Sequence, residues 1–253
     1  AKGTDGNEEG GDKNKTDLLE FKSKSYFPKV SKRSKIYLES LLSQFSNIGY
    51  DVAIVINDDN MSKVEIINTN SYNFNYKIVC IKRPNIGMNI GAWNEGYNFF
   101  PNYEYYIFLQ DECRVIQKNF TEKYISELTK ENIGMIGESI NIKWNHSWSK
   151  MNLSPLNYNI KLEKENKSIR RVDYYLDCFK KWKISEGKNA KHLRSLIWAF
   201  SNKTLKEING FPIGYNKEEC IAAEIAVSKK VEGIGLKISQ VRDTPFYFIE
   251  HIE

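Results

Sequence analysis

Two adjacent acidic residues, Asp111 and Glu112, directly follow the apolar stretch 105–109. Neighbouring carboxylates repel each other, and a hard divalent cation such as Mg²⁺ or Mn²⁺ relieves that repulsion. A Mg²⁺ ion held by one or two carboxylates usually completes its coordination shell with substrate phosphate oxygens. The pair therefore predicts a metal site that suits a nucleoside diphosphate, although two solvated acids at a strand end would give the same pattern.

A second candidate site is the segment 83–94, with the sequence RPNIGMNIGAWN. Two glycines, Gly87 and Gly91, would let the backbone approach a ligand closely, and a helix starting here would offer free N–H groups. The spacing matches neither the dinucleotide-binding G-x-G-x-x-G pattern nor a P-loop. A turn that only caps the next helix is the alternative. The asparagines of the segment are Asn85, Asn89 and Asn94.

The elements that position these residues follow from the hydrophobic pattern. Residues 51–56, 77–81 and 105–109 are short continuous apolar runs, which are typical of strands buried on both faces of a parallel sheet. Helical spacing of apolar residues predicts helices near 38–45 and 93–100. Strands that alternate with helices predict β-α-β units and a mainly parallel sheet in an α/β fold.

The first of these apolar runs ends in the polar cluster Asn57-Asp58-Asp59-Asn60. Ligands of open α/β sheets bind beyond the carboxyl ends of the strands. Asp58 and Asp59 would therefore lie at the same edge of the sheet as Asp111 and Glu112. We expect one ligand site there.

In this order and spacing, the motifs resemble those of GT-A glycosyltransferases, broadly the family-2-like enzymes and the transferases of rhamnan or lipopolysaccharide synthesis. The resemblance covers residues 50–113 and 195–251. The segment 201–211 (SNKTLKEINGF) is similar to the R-x-x-L-x-x-I-G-G-F stretch of the family. The Asp-x-Asp triplet of the family is represented here by Gln110-Asp111-Glu112.

The resemblance implies a GT-A-like, Rossmann-like single domain with a mainly parallel sheet flanked by helices. It implies transfer of a sugar from a nucleotide-diphosphate-sugar donor to a glycan or lipid-linked glycan acceptor, with Mn²⁺ or Mg²⁺ as cofactor. The residues that would contact the donor are Asp58, Asp59, Asn85, Gly87, Asn89, Gly91, Asn94, Gln110 and Asp111. The residues that would bind the metal are Asp111, Glu112 and His251.

A helix expected over residues 218–232 carries two candidates for the catalytic base of an inverting enzyme. Glu219 matches the acidic pair of the family when it is counted from the segment 209–211. Glu224 matches better when it is counted back from the segment 235–238. The two are five positions apart, about 140° around a helix, so they cannot both face one acceptor hydroxyl.

Each glutamate also has a structural role that the sequence suggests. Glu219 forms an Asn-x-x-Glu capping pattern with Asn216. Ile221 and Ile225 lie beside Glu224, so its carboxyl group would be partly buried and its pKa raised. We prefer Glu219 as the base, and a retaining mechanism would need neither residue.

The composition describes a mildly basic chain. Of 253 residues, 37 are Lys or Arg and 32 are Asp or Glu, for a formal net charge of +5. This is far from the dense basic stripe of a dedicated nucleic-acid-binding protein, so we expect no nucleic-acid partner. No apolar run approaches the ~18–20 residues that span a bilayer. We expect a cytoplasmic protein whose basic residues near 29–35 and 180–183 contact the inner face of the membrane weakly.

For domain organisation, we expect a flexible tail over residues 1–17 and one domain over 18–253. Its first half, 18–115, starts with a strand within 18–27 and would bind the nucleotide sugar, and its second half, 116–253, would bind the acceptor. Two other functions fit the same motifs. A metal-dependent nucleotidyltransferase also uses acids at a strand end, and a catalytically inactive GT-A-fold protein would bind nucleotide or glycan only.

Overall fold

The computed structural model of the chain describes residues 32–44, 50–67, 78–162 and 167–252. The expected tail, the expected first strand and the start of the basic cluster at Lys29 lie outside these ranges. The described helices are α1 (Lys32–Gln44), α2 (Met88–Phe99), α3 (Phe120–Leu128), α4 (Trp148–Asn152), α5 (Arg171–Lys181), α6 (Asn202–Glu207) and α7 (Lys217–Gly233). The described strands are β1 (Val52–Asp58), β2 (Glu65–Ile67), β3 (Ile78–Pro84), β4 (Tyr105–Leu109), β5 (Cys113–Val115), β6 (Ile133–Gly137), β7 (Asn159–Leu162), β8 (Lys167–Arg170), β9 (Ile197–Ser201), β10 (Lys237–Gln240) and β11 (Ile249–His251).

The described strands form small sheets of mixed direction. Their orders are β1-β3-β2, β10-β6-β9-β4, β11-β5 and β7-β8. Parallel pairing joins β1 to β3 and β6 to β10, and the other described pairs are antiparallel. The α/β class is confirmed, but the expectation of a mainly parallel sheet is wrong for the described strands. A continuous apolar run reveals that a strand is buried on both faces and leaves its direction open.

Strand β9 is the main cause of this difference. It lies between β6 and β4 and runs antiparallel to both, so that Ala199 pairs with Ile107 on one side and Ile136 on the other. Its first four residues, 197–200, are fully buried. The sequence analysis expected strands at β1, β3 and β4 and none here, because a five-residue apolar run next to a helix start has no periodicity of its own.

The two halves of the chain share their hydrophobic core, which is the physical mark of one domain. One buried cluster combines Ile54 and Cys80 of the first half with Tyr124 and Ile197 of the second. A second cluster joins residues of α2 to residues of β9 and α7. Neither half could bury its apolar side chains alone.

The region 140–190, which has little periodicity in the sequence, folds onto α7. It contains α4, the β7-β8 hairpin and α5, and its core side chains pack against Ala222, Ile225 and Ala226. Trp144 and Trp148 are buried there, at 5% and 7% exposure, so these two rings belong to the packed core of this region.

One buried carboxylate fastens the end of the described chain to the carboxyl end of β6. Glu138 is 1% exposed and accepts hydrogen bonds from the Tyr124 hydroxyl (2.8 Å) and from the backbone N–H groups of Tyr247, Phe248 and Ile249. Burial raises the pKa of Glu138, although these hydrogen bonds oppose the rise. The four donors hold β11 in place beside β5.

Of the helices that the structure describes, none has both the length and the apolar character needed to cross a membrane.

Gly91 provides a test of the fold around the Asn/Gly segment. A Cβ atom at this position would lie 1.9 Å from the backbone oxygen of Ile86, so any side chain forces the turn before α2 to move. We expect Gly91→Ala to lower the free energy of unfolding by about 2–3 kcal/mol, as overpacking does. Gly233→Ala is the control, because a Cβ there meets nothing within 4 Å. Equal urea midpoints for the two variants would contradict this account of the turn.

Candidate functional site

A buried arginine organises the turn between β3 and α2. Arg83 is 6% exposed and donates hydrogen bonds from Nη1 to the Asn57 side-chain oxygen (2.8 Å) and from Nη2 to the Ile86 carbonyl (2.9 Å). The Asn57 amide donates in turn to the Met88 carbonyl (3.0 Å). Gly87 caps α2 with φ of +80°, a conformation that favours glycine. The segment is therefore a rigid turn tied to the carboxyl end of β1.

The two acids at the carboxyl end of β1 both interact with neighbouring side chains. The Asp58 carboxylate lies 2.7 Å from the Lys82 ammonium and accepts a hydrogen bond from the backbone of Asn60. The hydrogen bond from Lys82 is the main cause of the lowered pKa of Asp58. The Asp59 carboxylate accepts from the Asn85 amide (2.9 Å). Both residues lie at the predicted sheet edge, where Asp59 fixes the turn.

Asn94 serves packing between elements. Its side-chain oxygen accepts a hydrogen bond from the Phe211 backbone (2.9 Å). Gly210, with φ of +63°, leaves room for this oxygen because it has no Cβ atom, and a Cβ atom there would lie 2.8 Å from the oxygen. Asn94 thus holds α2 against the segment that follows α6.

Two residues expected at the donor site meet at one backbone carbonyl. The Ser195 carbonyl accepts hydrogen bonds from the Gln110 amide (2.7 Å) and from the Asn89 amide (3.1 Å). The Gln110 backbone N–H also donates to the Leu196 carbonyl (3.1 Å). Gln110 therefore joins the end of β4 to the chain that leads into β9.

Glu224 is hydrogen-bonded to the other backbone group of the same residue, Ser195. Its carboxylate accepts a hydrogen bond from the Ser195 backbone N–H (2.9 Å), and its side chain is 21% exposed. Burial raises the pKa of Glu224 to about 7, while hydrogen bonds from Ser195 and the charge of Arg194 oppose the rise. A carboxylate with this pKa can accept a proton near neutral pH. The expected raised pKa of Glu224 is confirmed.

His192 lies beside Glu224 as a neutral group. Its Nε2 atom is 3.9 Å from the Glu224 carboxylate, and burial lowers its pKa to about 4. Nδ1 lies 2.9 Å from the Ala190 carbonyl and donates to it, which leaves the lone pair on Nε2 to accept from the Asn141 amide at 3.3 Å. The imidazole therefore provides no positive charge to stabilise the Glu224 carboxylate.

Glu219 is engaged in the start of α7. Asn216 accepts from the Glu219 backbone (2.9 Å), as the capping pattern predicts. The Glu219 carboxylate accepts from the Tyr215 backbone N–H (2.7 Å) and from the Lys181 ammonium (3.1 Å). Both oxygens of this carboxylate are therefore taken by hydrogen bonds that hold the start of α7 and α5 together.

Two of the three expected metal ligands come together. His251 pairs in register with Cys113 across β11 and β5, and its Nε2 lies 3.1 Å from the Glu112 carboxylate. Asp111 makes no hydrogen bond or ion pair with any residue of the described ranges. Within those ranges, no group of three or more His, Cys, Asp or Glu side chains is arranged to hold a metal ion.

A cleft of about 910 Å³ borders Asn89, Gln110 and Asp111, a volume typical of small-molecule sites. β1 and β4 line its two sides with mainly apolar side chains. At the carboxyl ends of the strands and the start of α2, its polar residues are Asn57, Asn85, Asn89, Gln110 and Asp111. Asp51 and Glu104 line it at the amino ends of β1 and β4.

The structure therefore joins Asn89, Gln110 and Glu224 through Ser195, and it leaves Glu219 at the start of α7 in a structural role. The sequence analysis missed Ser195, because its contribution is made by backbone atoms that any residue type has. The hydrogen bond between Arg83 and Asn57, which joins β3 to β1, was not predicted either, although both residues lie in segments that the sequence singles out.

The chain matches no protein-family model and no curated protein.

The raised pKa of Glu224 predicts a pH dependence of stability. Its folded-state pKa of about 7 exceeds the ordinary value of 4.5, so the folded protein binds more protons than the unfolded chain between these pH values. Stability should therefore fall as pH rises through this window, by at most about 3 kcal/mol from this group. Glu224→Gln should remove that part of the loss.

Urea unfolding of the wild type and of Glu224→Gln at pH 5 and pH 8 measures the effect. The variant should gain stability relative to the wild type at pH 8 and lose that advantage at pH 5. The same free-energy difference at both pH values would contradict the raised pKa.

Proposed function

We propose that the protein is an inverting glycosyltransferase that moves a sugar from a nucleotide-diphosphate sugar to a hydroxyl group of a glycan or lipid-linked glycan. The observation that carries the proposal is the position of Glu224. A half-buried carboxylate with a pKa of about 7 is joined through the backbone of Ser195 to Gln110 and Asn89, which border the cleft. A GT-A-like arrangement of the sheets is part of the same proposal.

In the proposed reaction, the acceptor oxygen attacks the anomeric carbon and its proton passes to the Glu224 carboxylate. The bond between the anomeric carbon and the diphosphate oxygen breaks, and the diphosphate leaves with the bonding electrons. A sugar hydroxyl is almost entirely protonated at neutral pH, so it needs a base. The proposal thus moves the base from Glu219, whose oxygens are occupied, to Glu224.

This role for Glu224 favours glycosyl transfer over nucleotidyl transfer. A nucleotidyltransferase that acts on a sugar phosphate uses a phosphate oxygen as nucleophile, and that oxygen is already ionised at neutral pH. Such an enzyme has no need of a carboxylate with a pKa of about 7 beside its site. A protein that only binds nucleotides would have no need of it either.

The nucleotide would bind at the polar end of the cleft, near Asn57, Asn85 and Gln110. For Mn²⁺ or Mg²⁺, the donor set of Asp111, Glu112 and His251 has suitable chemistry, although the described side chains form no closed three-ligand cluster. It fits an ion bound by one or two carboxylates and by substrate phosphate oxygens. Such an ion would neutralise charge on the leaving diphosphate.

Replacement of the base tests the proposal. Glu224→Gln keeps the volume and the hydrogen bond from Ser195 but cannot accept a proton. We expect kcat for release of nucleoside diphosphate from the matching nucleotide sugar to fall by ~10²–10⁴, with donor affinity unchanged. Glu219→Gln on the same helix is the matched control and should keep a rate near that of the wild type. If both variants turn over normally, the base lies elsewhere or the mechanism is retaining.

Replacement of Asp111 tests the metal assignment separately. Asp111→Asn keeps the shape of the side chain and removes its charge, so we expect UDP binding in the presence of Mn²⁺ to weaken by about tenfold or more. Asp177→Asn is the control, because Asp177 is an exposed acid on α5 that pairs only with Lys180 among the described residues. Titration calorimetry with and without Mn²⁺ measures both. Equal UDP affinity for the two variants would remove Asp111 from the site.

A further inference from the structure

The guanidinium group of Arg194 is exposed, whereas the backbone of this residue is fixed by hydrogen bonds. It directly precedes Ser195, the residue whose N–H is bonded to Glu224. Its backbone N–H donates to the Ser139 carbonyl, and its carbonyl accepts from the Trp198 indole, both at 2.9 Å. Within the described ranges, the guanidinium makes no hydrogen bond and no ion pair. A cation with free donors therefore stands next to the proposed base.

An aromatic ring holds this guanidinium in place. The Arg194 Cζ atom lies 5.9 Å from the centre of the Phe246 ring, within cation–π range. Phe246 has φ of +57°, a strained conformation for a bulky residue. The surrounding structure maintains it, because Glu138 accepts the N–H of the next residue, Tyr247. Backbone strain that the surrounding structure maintains beside a site indicates that the position of the Phe246 ring serves that site.

The distribution of charge along the chain indicates the kind of ligand. Residues 116–253 contain 23 Lys and Arg against 17 Asp and Glu, for a net charge of +6, whereas residues 1–115 have a net charge of −1. The basic half is the one that holds Glu224 and Arg194. An excess of positive charge in the part of the chain that carries Arg194 favours binding of an anionic molecule.

We infer that the acceptor carries a phosphate group near its reactive hydroxyl and that Arg194 binds this phosphate. The inference rests on the proposed function. In an in-line displacement, the acceptor and its base stand opposite the leaving diphosphate. Arg194 adjoins Ser195, the residue that is hydrogen-bonded to the proposed base, so its positive charge lies on the acceptor side. The planar guanidinium can donate two parallel hydrogen bonds to phosphate oxygens. Arg194 would determine acceptor specificity, and Asp111 would serve the donor.

Binding of simple phosphates to the protein saturated with UDP and Mn²⁺ tests the inference, since UDP then occupies the donor site. Glucose 1-phosphate is the soluble probe, with methyl glucoside as its uncharged counterpart. Phosphatidylcholine vesicles with and without phosphatidic acid form the lipid arm. We expect one phosphate probe to bind and its affinity to fall about 10- to 100-fold in Arg194→Gln. Arg194→Lys should lose less affinity, because lysine keeps the positive charge but cannot donate two parallel hydrogen bonds.

Arg242→Gln is the matched control. Arg242 is also exposed and lies over an aromatic ring, 4.7 Å from the centre of Tyr247, but it does not adjoin Ser195 in the chain. Its variant should bind the phosphate probe like the wild type. An equal loss in both variants, or binding that Arg194→Gln leaves unchanged, or no phosphate binding beside bound UDP, overturns the inference. Failure of the wild type to bind any nucleoside diphosphate in the presence of Mn²⁺ overturns the proposed function itself.

Discussion

The site depends on the peptide groups on either side of Ser195. The Ser195 N–H donates to Glu224 on α7, and the Ser195 carbonyl accepts from Gln110 after β4 and from Asn89 in α2. Three elements far apart in sequence are thereby fixed to one short segment, which itself leads into β9 at the centre of its sheet. A buried backbone group must be hydrogen-bonded, so the segment cannot shift without leaving polar groups unpaired. The geometry of the proposed base therefore follows from main-chain hydrogen bonding.

The two buried carboxylates Glu138 and Glu224 differ in exposure and in hydrogen bonding, and we infer different roles for them. Glu138 is almost completely enclosed and receives four hydrogen bonds, so its role is to hold the segment 247–249. Glu224 is partly open and lies beside a neutral His192, and within the part of the chain that the structure describes it accepts hydrogen bonds from Ser195 alone. Burial raises both pKa values, but of these two carboxylates only Glu224 is partly exposed.

The proposed donor and acceptor residues are arranged around the strands that border the cleft. At one end of β1 and β4 stand amides and an acid that suit a nucleotide and a cation. On the far side of Ser195 stand Glu224 and Arg194, in the half of the chain with excess positive charge. The donor and acceptor roles that we propose therefore occupy opposite sides of one segment. β9, which runs antiparallel between β6 and β4, places that segment there.

Local patterns in the sequence determined β1, β3 and β4, the start of α7 at Asn216, and the burial of Glu224 beside Ile221 and Ile225, because hydrophobic runs and capping pairs act over a few residues. They also indicated that Gln110 and Asn89 belong near one site. Only the tertiary structure decided the direction of β9, the meeting of Asn89, Gln110 and Glu224 at Ser195, and the pairing of His251 with Glu112. These features join positions up to 139 residues apart through backbone groups and strand pairing. Backbone atoms are the same in every residue, so no side-chain pattern records which of them will meet.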